Sequence, residues 1–192
     1  MDIVTSTAKL QFKERDGADW HLYFNEKKTT MKVPKEKTEE ESDTEDTEEE
    51  VEAYQYYHVL IKHSVPTIGL YKRSIVKTIE EYDKSDAVRT FNLSDGTTAY
   101  IERDTRVSLD ALCTAKLEQG EATMELWLHN TKYTVDIKAF ISFLKQLEIY
   151  ASDCFNTTQM HIQNVYKADK FACSEYDFTI GYPEKLTFNV NQ

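Results

Sequence analysis

Apolar residues in the first third of the chain alternate with polar ones at the spacing of β-strands. The alternating residues are Leu10 and Phe12, then Trp20, Leu22 and Phe24. A turn at Asp16-Gly17-Ala18-Asp19 separates the two groups, a third candidate strand runs from Thr29 to Val33, and residues 53–63 resume a β-prone run. The pattern predicts a small antiparallel sheet within residues 1–65.

Later segments place apolar residues three and four positions apart, which is typical of helices that face a core. Residues 66–85 predict a connecting helix, and a second helix begins at a cap on Asp104 or Thr105 and stops before Gly120. Asp136 caps the longest predicted element, residues 137–168, in which Thr157-Thr158 marks a candidate break or kink.

Two hairpins precede these last two helices, one around the turn Ser94-Asp95-Gly96 and one around Asn130-Thr131. The order is therefore ββαββα, followed by an extended C-terminal arm, and the fold class is α+β. We predict an N-terminal β region at 1–65, the connecting helix at 66–85 and a C-terminal α+β domain at 86–192.

The net charge of −11 belongs to one segment of the chain. Ten carboxylates without a basic residue lie between Glu39 and Glu52, and they account for most of that charge. Mutual repulsion predicts a mobile acidic loop over 35–52, although a docking segment for a basic partner, a cation-binding tract and a mimic of nucleic-acid phosphate stay open. The remainder is nearly neutral, so no basic field favours nucleic-acid binding.

The chain shows no recognisable catalytic or cofactor motif: no glycine-rich phosphate loop, no GxSxG and no HExxH. His58 and His63 would lie on opposite faces of one strand, and Cys154 and His161 are two helical turns apart. We interpret this last pair as a core thiol and a surface imidazole rather than as metal ligands. We predict no enzymatic activity, no cofactor and no metal site.

Three cysteines with wide spacings, Cys113, Cys154 and Cys173, predict reduced structural thiols. The N-terminus has neither the basic nor the apolar region of a signal peptide, and no run reaches the ~18 apolar residues of a membrane span. We therefore expect a protein made in the cytoplasm, with no membrane partner.

Aromatic residues give the candidate interface. Tyrosine is concentrated at the start of the 53–63 run, and tyrosine offers rigid amphipathic area at interfaces, although sheet propensity explains the same enrichment. The candidate interface residues are Tyr54, Tyr56, Tyr57, Trp127, Tyr182 and Pro183.

Five segments carry a resemblance to a known family. They are Glu81-Tyr82-Asp83-Lys84-Ser85-Asp86-Ala87-Val88 leading to Phe91; Arg103-Asp104-Thr105-Arg106; Glu125-Leu126-Trp127-Leu128; Leu147-Glu148-Ile149-Tyr150-Ala151-Ser152-Asp153-Cys154-Phe155-Asn156-Thr157-Thr158 with His161; and Glu175-Tyr176-Asp177-Phe178-Thr179-Ile180-Gly181-Tyr182-Pro183-Glu184-Lys185-Leu186. Over residues 80–188 the chain resembles a domain family of bacteriophages and prophages, notably of Bacteroidales, that is often attached to tail-fibre and tail-assembly proteins. Members tend to carry tryptophan where this chain has Tyr100.

The resemblance implies a virion structural or adaptor protein of the tail, baseplate or fibre-attachment region. Its partners would be other phage structural proteins or copies of itself, in a homo- or hetero-oligomer, and its location the virion. Two alternatives stay open: a tail-fibre assembly chaperone that leaves the mature particle, and an acidic regulator that binds a host protein. No catalytic residues carry over from the family.

Overall fold

A computed structural model of the chain describes residues 2–11, 13–34, 48–62 and 66–190. The fold is α+β, with an antiparallel N-terminal sheet and one long helix, as the sequence pattern predicts. Two compact units form: unit 1 is Met1–Glu81 with His161–Ile180, and unit 2 is Tyr82–Met160 with Gly181–Gln192. This division differs from the predicted one, because the end of the long helix and the segment after it fold with unit 1.

Unit 1 is built on a four-stranded antiparallel sheet in the order β1-β4-β3-β2. Its strands are β1 (Asp2–Ser6), β2 (Lys13–Asp16), β3 (Asp19–Pro34) and β4 (Glu48–Ile61). The predicted turn between β2 and β3 is present, and Gly17 adopts φ +58° there, a conformation that costs a glycine little. The separate third strand expected at Thr29–Val33 is wrong, since these residues continue β3 beyond a bulge between Phe24 and Lys27.

The acidic tract is not a loop throughout. Glu48–Glu52 begins β4 and pairs with the end of β3, so the mobile loop predicted for 35–52 is wrong at these residues; residues 35–47 lie outside the described part of the chain. Lys32 contributes to the pairing: it lies opposite Glu50, and its Nζ is 3.6 Å from the Glu48 carboxylate. Opposite charges across a strand pair offset the repulsion between the glutamates.

Three helical segments complete unit 1: α1 (Ile68–Asp83), where the connecting helix was predicted, the end of α4 (Ile137–Lys167) and α5 (Lys170–Glu175). The buried apolar side chains come from one face of the sheet, from these helices and from the turn after α5. They include Leu22, Phe24, Tyr71, Ile75, Ile79, Val165 and Phe178.

Unit 2 follows the predicted order of hairpin, helix, hairpin and helix. Its elements are α2 (Asp86–Arg89), β5 (Phe91–Leu93), β6 (Thr98–Ala99), α3 (Arg103–Glu118), β7 (Thr123–Leu128), β8 (Thr131–Asp136), most of α4 and β9 (Thr187–Phe188). The C-terminal arm ends in β9, which pairs in parallel with β5. One apolar cluster joins both hairpins to α4, with Phe140 and Ile137 fully buried at its centre.

Helix ends in unit 2 follow the predicted signals closely. Asp136 accepts a hydrogen bond from the backbone N–H of Ala139 at 2.8 Å, and Gly120, at φ +85°, ends α3. The helix α3 begins at Arg103, just before the predicted caps at Asp104 and Thr105, since Glu102 is its N-cap residue. The break expected at Thr157-Thr158 is wrong, because α4 is helical throughout Ile137–Lys167.

Candidate functional site

The tyrosines predicted as an interface in unit 1 are mostly engaged within that unit. Tyr56 is buried at 3% exposure; its hydroxyl accepts a hydrogen bond from the Leu10 N–H and donates one to Glu26, both at 3.1 Å. The ring of Tyr57 packs on buried Phe178, with 4.9 Å between centroids, and Tyr54 is half-buried. Sheet propensity, the competing interpretation of this tyrosine run, explains Tyr56 and Tyr57 without a partner.

The candidates in unit 2 separate into one exposed and two packed residues. Trp127 is 64% exposed on β7, whereas Pro183 is half-buried. The Tyr182 hydroxyl lies 2.9 Å from the Thr158 hydroxyl, and burial raises the pKa of Tyr182 to about 12. Of the six residues named from the sequence, Trp127 therefore exposes the most apolar surface.

A groove lined by α2, α3 and α4 is the strongest candidate site in unit 2, and we call it the Arg106 groove. It contains a cavity of about 160 Å³ between these helices. Leu147, Tyr150 and Cys154 of α4 give it an apolar floor, and the 58%-exposed Phe155 lies at its edge. These residues share one face because they recur at three and four along α4.

Three arginines line the polar side of the groove: Arg89, Arg103 and Arg106. Arg106 is fixed, because its Nε donates to Glu148 at 2.6 Å and its Nη1 donates to the Ile101 carbonyl at 2.7 Å. Its side chain is only 11% exposed. Such a doubly bonded guanidinium is held in one orientation, so Arg106 gives the groove its shape.

Arg89 and Arg103 are exposed, and neither makes a side-chain hydrogen bond or ion pair to another described residue. The Arg89 guanidinium lies over the Tyr100 ring, 5.9 Å from its centroid. The acidic residue of the lining, Asp83, accepts a hydrogen bond from Thr158 at 2.8 Å. The groove therefore offers positive charge without a described counter-charge on two of its three arginines.

The element that carries Arg89 is anchored from both sides. The Tyr150 hydroxyl donates a 2.7 Å hydrogen bond to the Val88 carbonyl, and Lys185 donates to the Asp86 carbonyl and to the Thr90 hydroxyl, at 2.6 and 2.8 Å. These contacts hold the short helix α2 in place. The backbone position of Arg89 is consequently set before any ligand binds.

A second cavity, of about 150 Å³, continues the groove along α3 and α4 and shares Arg106 with the first. Its apolar lining is Val107, which is 62% exposed, and Leu144. Its charged lining residues balance, being two basic and two acidic side chains. This second cavity favours an uncharged side chain.

In unit 1, two histidines meet on the sheet face opposite the core. His21 Nδ1 lies 2.9 Å from His58 Nε2, and both rings stack beside Tyr23. One imidazole must donate its N–H and the other must accept, so the pair is most stable with at least one ring neutral. Burial, reinforced by His21, lowers the pKa of His58, while Asp2 on the neighbouring strand opposes that shift.

Of the other histidine and cysteine positions singled out from the sequence, those that the structure describes are buried. His161, expected at the surface, is 2% exposed, and its Nδ1 and Nε2 lie 2.8 and 2.9 Å from the Tyr176 hydroxyl and the Ile180 carbonyl. The expectation is wrong because the segment after α5 covers this turn of α4. Cys154 is buried as expected, and burial raises the pKa of its thiol. His63 lies outside the described residues.

No group of three or more metal-ligating side chains is arranged to hold an ion within residues 2–11, 13–34, 48–62 and 66–190. In the same part of the chain, no helix has the length and apolar character needed to cross a membrane. All three cysteines are free and buried.

Sequence reasoning named none of the three groove arginines as site residues. Arg103 and Arg106 open α3 and were noted only as part of the family resemblance, while Arg89 lies on a different helix. A weak signal was available, because Arg103 and Arg106 are three apart and so share a helix face. Nothing in the sequence pattern connects them to Phe155.

Comparison of the chain with protein-family models, with curated proteins and with solved structures gives no match.

Proposed function

We propose that this chain is a non-enzymatic virion protein of a bacteriophage, a structural or adaptor component of the tail, baseplate or fibre-attachment region. The observation that carries the proposal is the Arg106 groove, where exposed Phe155 and Val107 flank fixed and unpaired arginines. Aromatic residues and arginine are the side chains that protein interfaces prefer. The phage assignment itself is supported by the family resemblance.

The chemistry of the groove favours binding over catalysis. Burial raises the pKa of both the Cys154 thiol and the Tyr150 hydroxyl, so neither is ionised at neutral pH. The Tyr150 hydroxyl is also engaged with the Val88 carbonyl. A nucleophile of this kind needs a lowered pKa, and both groups have a raised one; the Asp83 carboxylate raises the pKa of Cys154 further.

Exposed apolar area elsewhere in unit 2 also fits an assembled protein. Trp127 and Ile149 are both 64% exposed. Single exposed hydrophobic residues are ordinary, but tryptophan is among the residues that carry the most energy in interfaces. Trp127 therefore supports the same proposal independently of the groove.

Mass spectrometry of purified virions tests the proposal. We expect peptides of this chain in the particle, at an intensity comparable to known tail proteins. Abundance in infected cells together with absence from gradient-purified particles would contradict it and would favour an assembly chaperone instead.

A further inference from the structure

We propose that the Arg106 groove binds an extended acidic segment of a partner protein, with carboxylates at Arg89 and Arg103 and apolar side chains in the two cavities. The proposal rests on the proposed function, because it states the chemistry through which a virion neighbour would dock. Three features of the groove support it: its unpaired arginines, its dimensions, and the contacts that fix Arg106 and α2.

The positive charge of the groove favours an acidic ligand. The chain carries a net charge of −11, yet three of the residues lining this cavity are arginines and one is acidic. Arg89 and Arg103 have no described ion-pair partner, so their guanidinium groups can take a carboxylate through two parallel hydrogen bonds. The nearest acidic lining residue, Asp83, is already held by Thr158.

The dimensions of the groove fit a peptide rather than a compact small molecule. Cavities of about 160 and 150 Å³ are each smaller than the roughly 300–1,000 Å³ of pockets for drug-sized ligands. Along α4, Leu144 to Phe155 spans about 16 Å at 1.5 Å per residue, the length of about five extended residues. Two separate cavities on that length match alternate side chains of one extended segment.

Geometry fixed in advance favours binding. Arg106 is held by Glu148 and Ile101, and α2 is held by Tyr150 and Lys185. The groove itself is therefore ordered before a ligand arrives and adds little to the entropy cost of binding, whereas the exposed Arg89 and Arg103 side chains become ordered with the ligand. The apolar floor, with Phe155 at its edge, supplies apolar contact area that an ion pair alone does not provide.

A single-stranded nucleic acid is the competing occupant, because arginines beside Phe155 and Tyr100 could hold a phosphate and stack a base. The groove favours the peptide, since its two unpaired arginines can neutralise only a few phosphates of a polyanion. Nucleic acid is accordingly one of the outcomes of the test.

Fluorescence polarisation on the full chain provides the test. The probes are two libraries of labelled five-residue peptides, one with Asp or Glu at positions 1, 3 and 5 and an aliphatic or aromatic residue at positions 2 and 4. The second library carries the corresponding Asn or Gln. We expect acidic members to bind at least about tenfold more tightly than their amide counterparts at low salt, with affinity that falls as salt is added.

Variants locate the binding. Arg103→Gln should weaken the best acidic peptide about threefold, and Arg89→Gln with Arg103→Gln about tenfold, as exposed ion pairs do. Phe155→Ala should weaken acidic and amide peptides by the same factor, because it removes only apolar contact. Arg73→Gln, which changes the same residue type on the exposed surface of unit 1, is the matched control and should bind like the parent.

Three results would overturn the proposal: equal binding of the acidic and amide libraries, full affinity after loss of Arg89 and Arg103, or tighter binding of a labelled oligothymidylate through the same arginines. Failure here is distinct from failure of the proposed function. Absence from virions with acidic binding intact removes only the virion role, while presence in virions without acidic preference removes only this proposal.

Discussion

The two units of this protein each bring polar and aromatic side chains together, but they leave those side chains in different states. In unit 1, the Tyr56 hydroxyl, Glu26 and Lys9 bond one another, and His21 bonds His58. In unit 2, Arg89 and Arg103 line a cavity with no described ion-pair partner. The polar groups of unit 1 are thus satisfied by one another, whereas the arginines of unit 2 keep hydrogen-bond donors available for a ligand. Whether polar side chains already have hydrogen-bond partners is therefore a better guide to a binding site than the number of polar and aromatic residues in a cluster.

The largest expected difference in stability is between substitutions of Tyr56 in unit 1 and Trp127 in unit 2, both candidate interface residues in the sequence. Tyr56→Ala should lower the free energy of unfolding by about 3 kcal/mol, because it opens a cavity and leaves Glu26 and the Leu10 N–H without their hydroxyl. Trp127→Ala, at a 64%-exposed position, should change it by less than about 0.5 kcal/mol. Urea denaturation measures both, and equal losses would remove the contrast.

An effect of intermediate size is expected at Tyr150, which contributes both to the stability of unit 2 and to the shape of the Arg106 groove. Tyr150→Phe removes the hydrogen bond to the Val88 carbonyl and should cost about 1 kcal/mol, because the buried carbonyl loses its donor. The same change loosens the helix that carries Arg89 and should weaken acidic-peptide binding. The matched change Tyr100→Phe, at an exposed ring, should leave stability unchanged. A stable Tyr150→Phe variant with full peptide affinity would show that the anchor is unnecessary.

Lowering the pH should destabilise unit 1 before it destabilises unit 2. The pKa values of His58 and His161 in unit 1 are lowered, chiefly by burial, so the unfolded chain binds protons that the folded chain does not. Stability is therefore complete above the ordinary histidine pKa of about 6.5 and falls as the pH drops below it. Hydrogen exchange should show β3 and β4 losing protection as the pH falls below about 6.5, before β7 and β8 do. Simultaneous loss, or greater protection of β3 at low pH, would contradict this assignment.

The smallest effect lies at the surface of unit 1. Lys32→Gln removes the exposed ion pair with Glu48 and should change the unfolding free energy by no more than about 0.5 kcal/mol. The difference between parent and variant should shrink further at high salt. A loss above about 1 kcal/mol would mean that Lys32 holds the acidic start of β4 in the sheet, rather than contributing one screened contact.

Periodicity and capping signals predicted the fold of unit 2 well because they act locally. The cap at Asp136, the stop at Gly120 and the alternation of Met124, Leu126 and Leu128 each depend on neighbours within a few residues. Two local signals failed, because α3 begins before its predicted caps and α4 has no break. The other errors arose where distant pairing decides. Nothing local shows that Glu48–Glu52 would pair with the end of β3, or that residues 161–180 would fold with unit 1.

The candidate site was less predictable than the fold for the same reason. Arg89, Arg103 and Phe155 come from three helices, and their proximity follows only from the packing of α2 and α3 on α4. The tyrosines of β4 were conspicuous in the sequence because strands favour tyrosine, and Tyr56 is buried. Trp127 is the exception, because its exposure follows directly from the alternation along β7.

Site-specific photocrosslinking inside assembled particles tests the central claim most directly. A photoreactive phenylalanine analogue would replace Phe155 in the Arg106 groove or, as the control, Leu60, which is 40% exposed on the histidine face of unit 1. We expect the probe at Phe155 to couple to an Asp- and Glu-rich peptide of another virion protein, and the probe at Leu60 not to couple. Coupling from Leu60 alone, in particles that contain the chain, would show that the Arg106 groove is not the docking site.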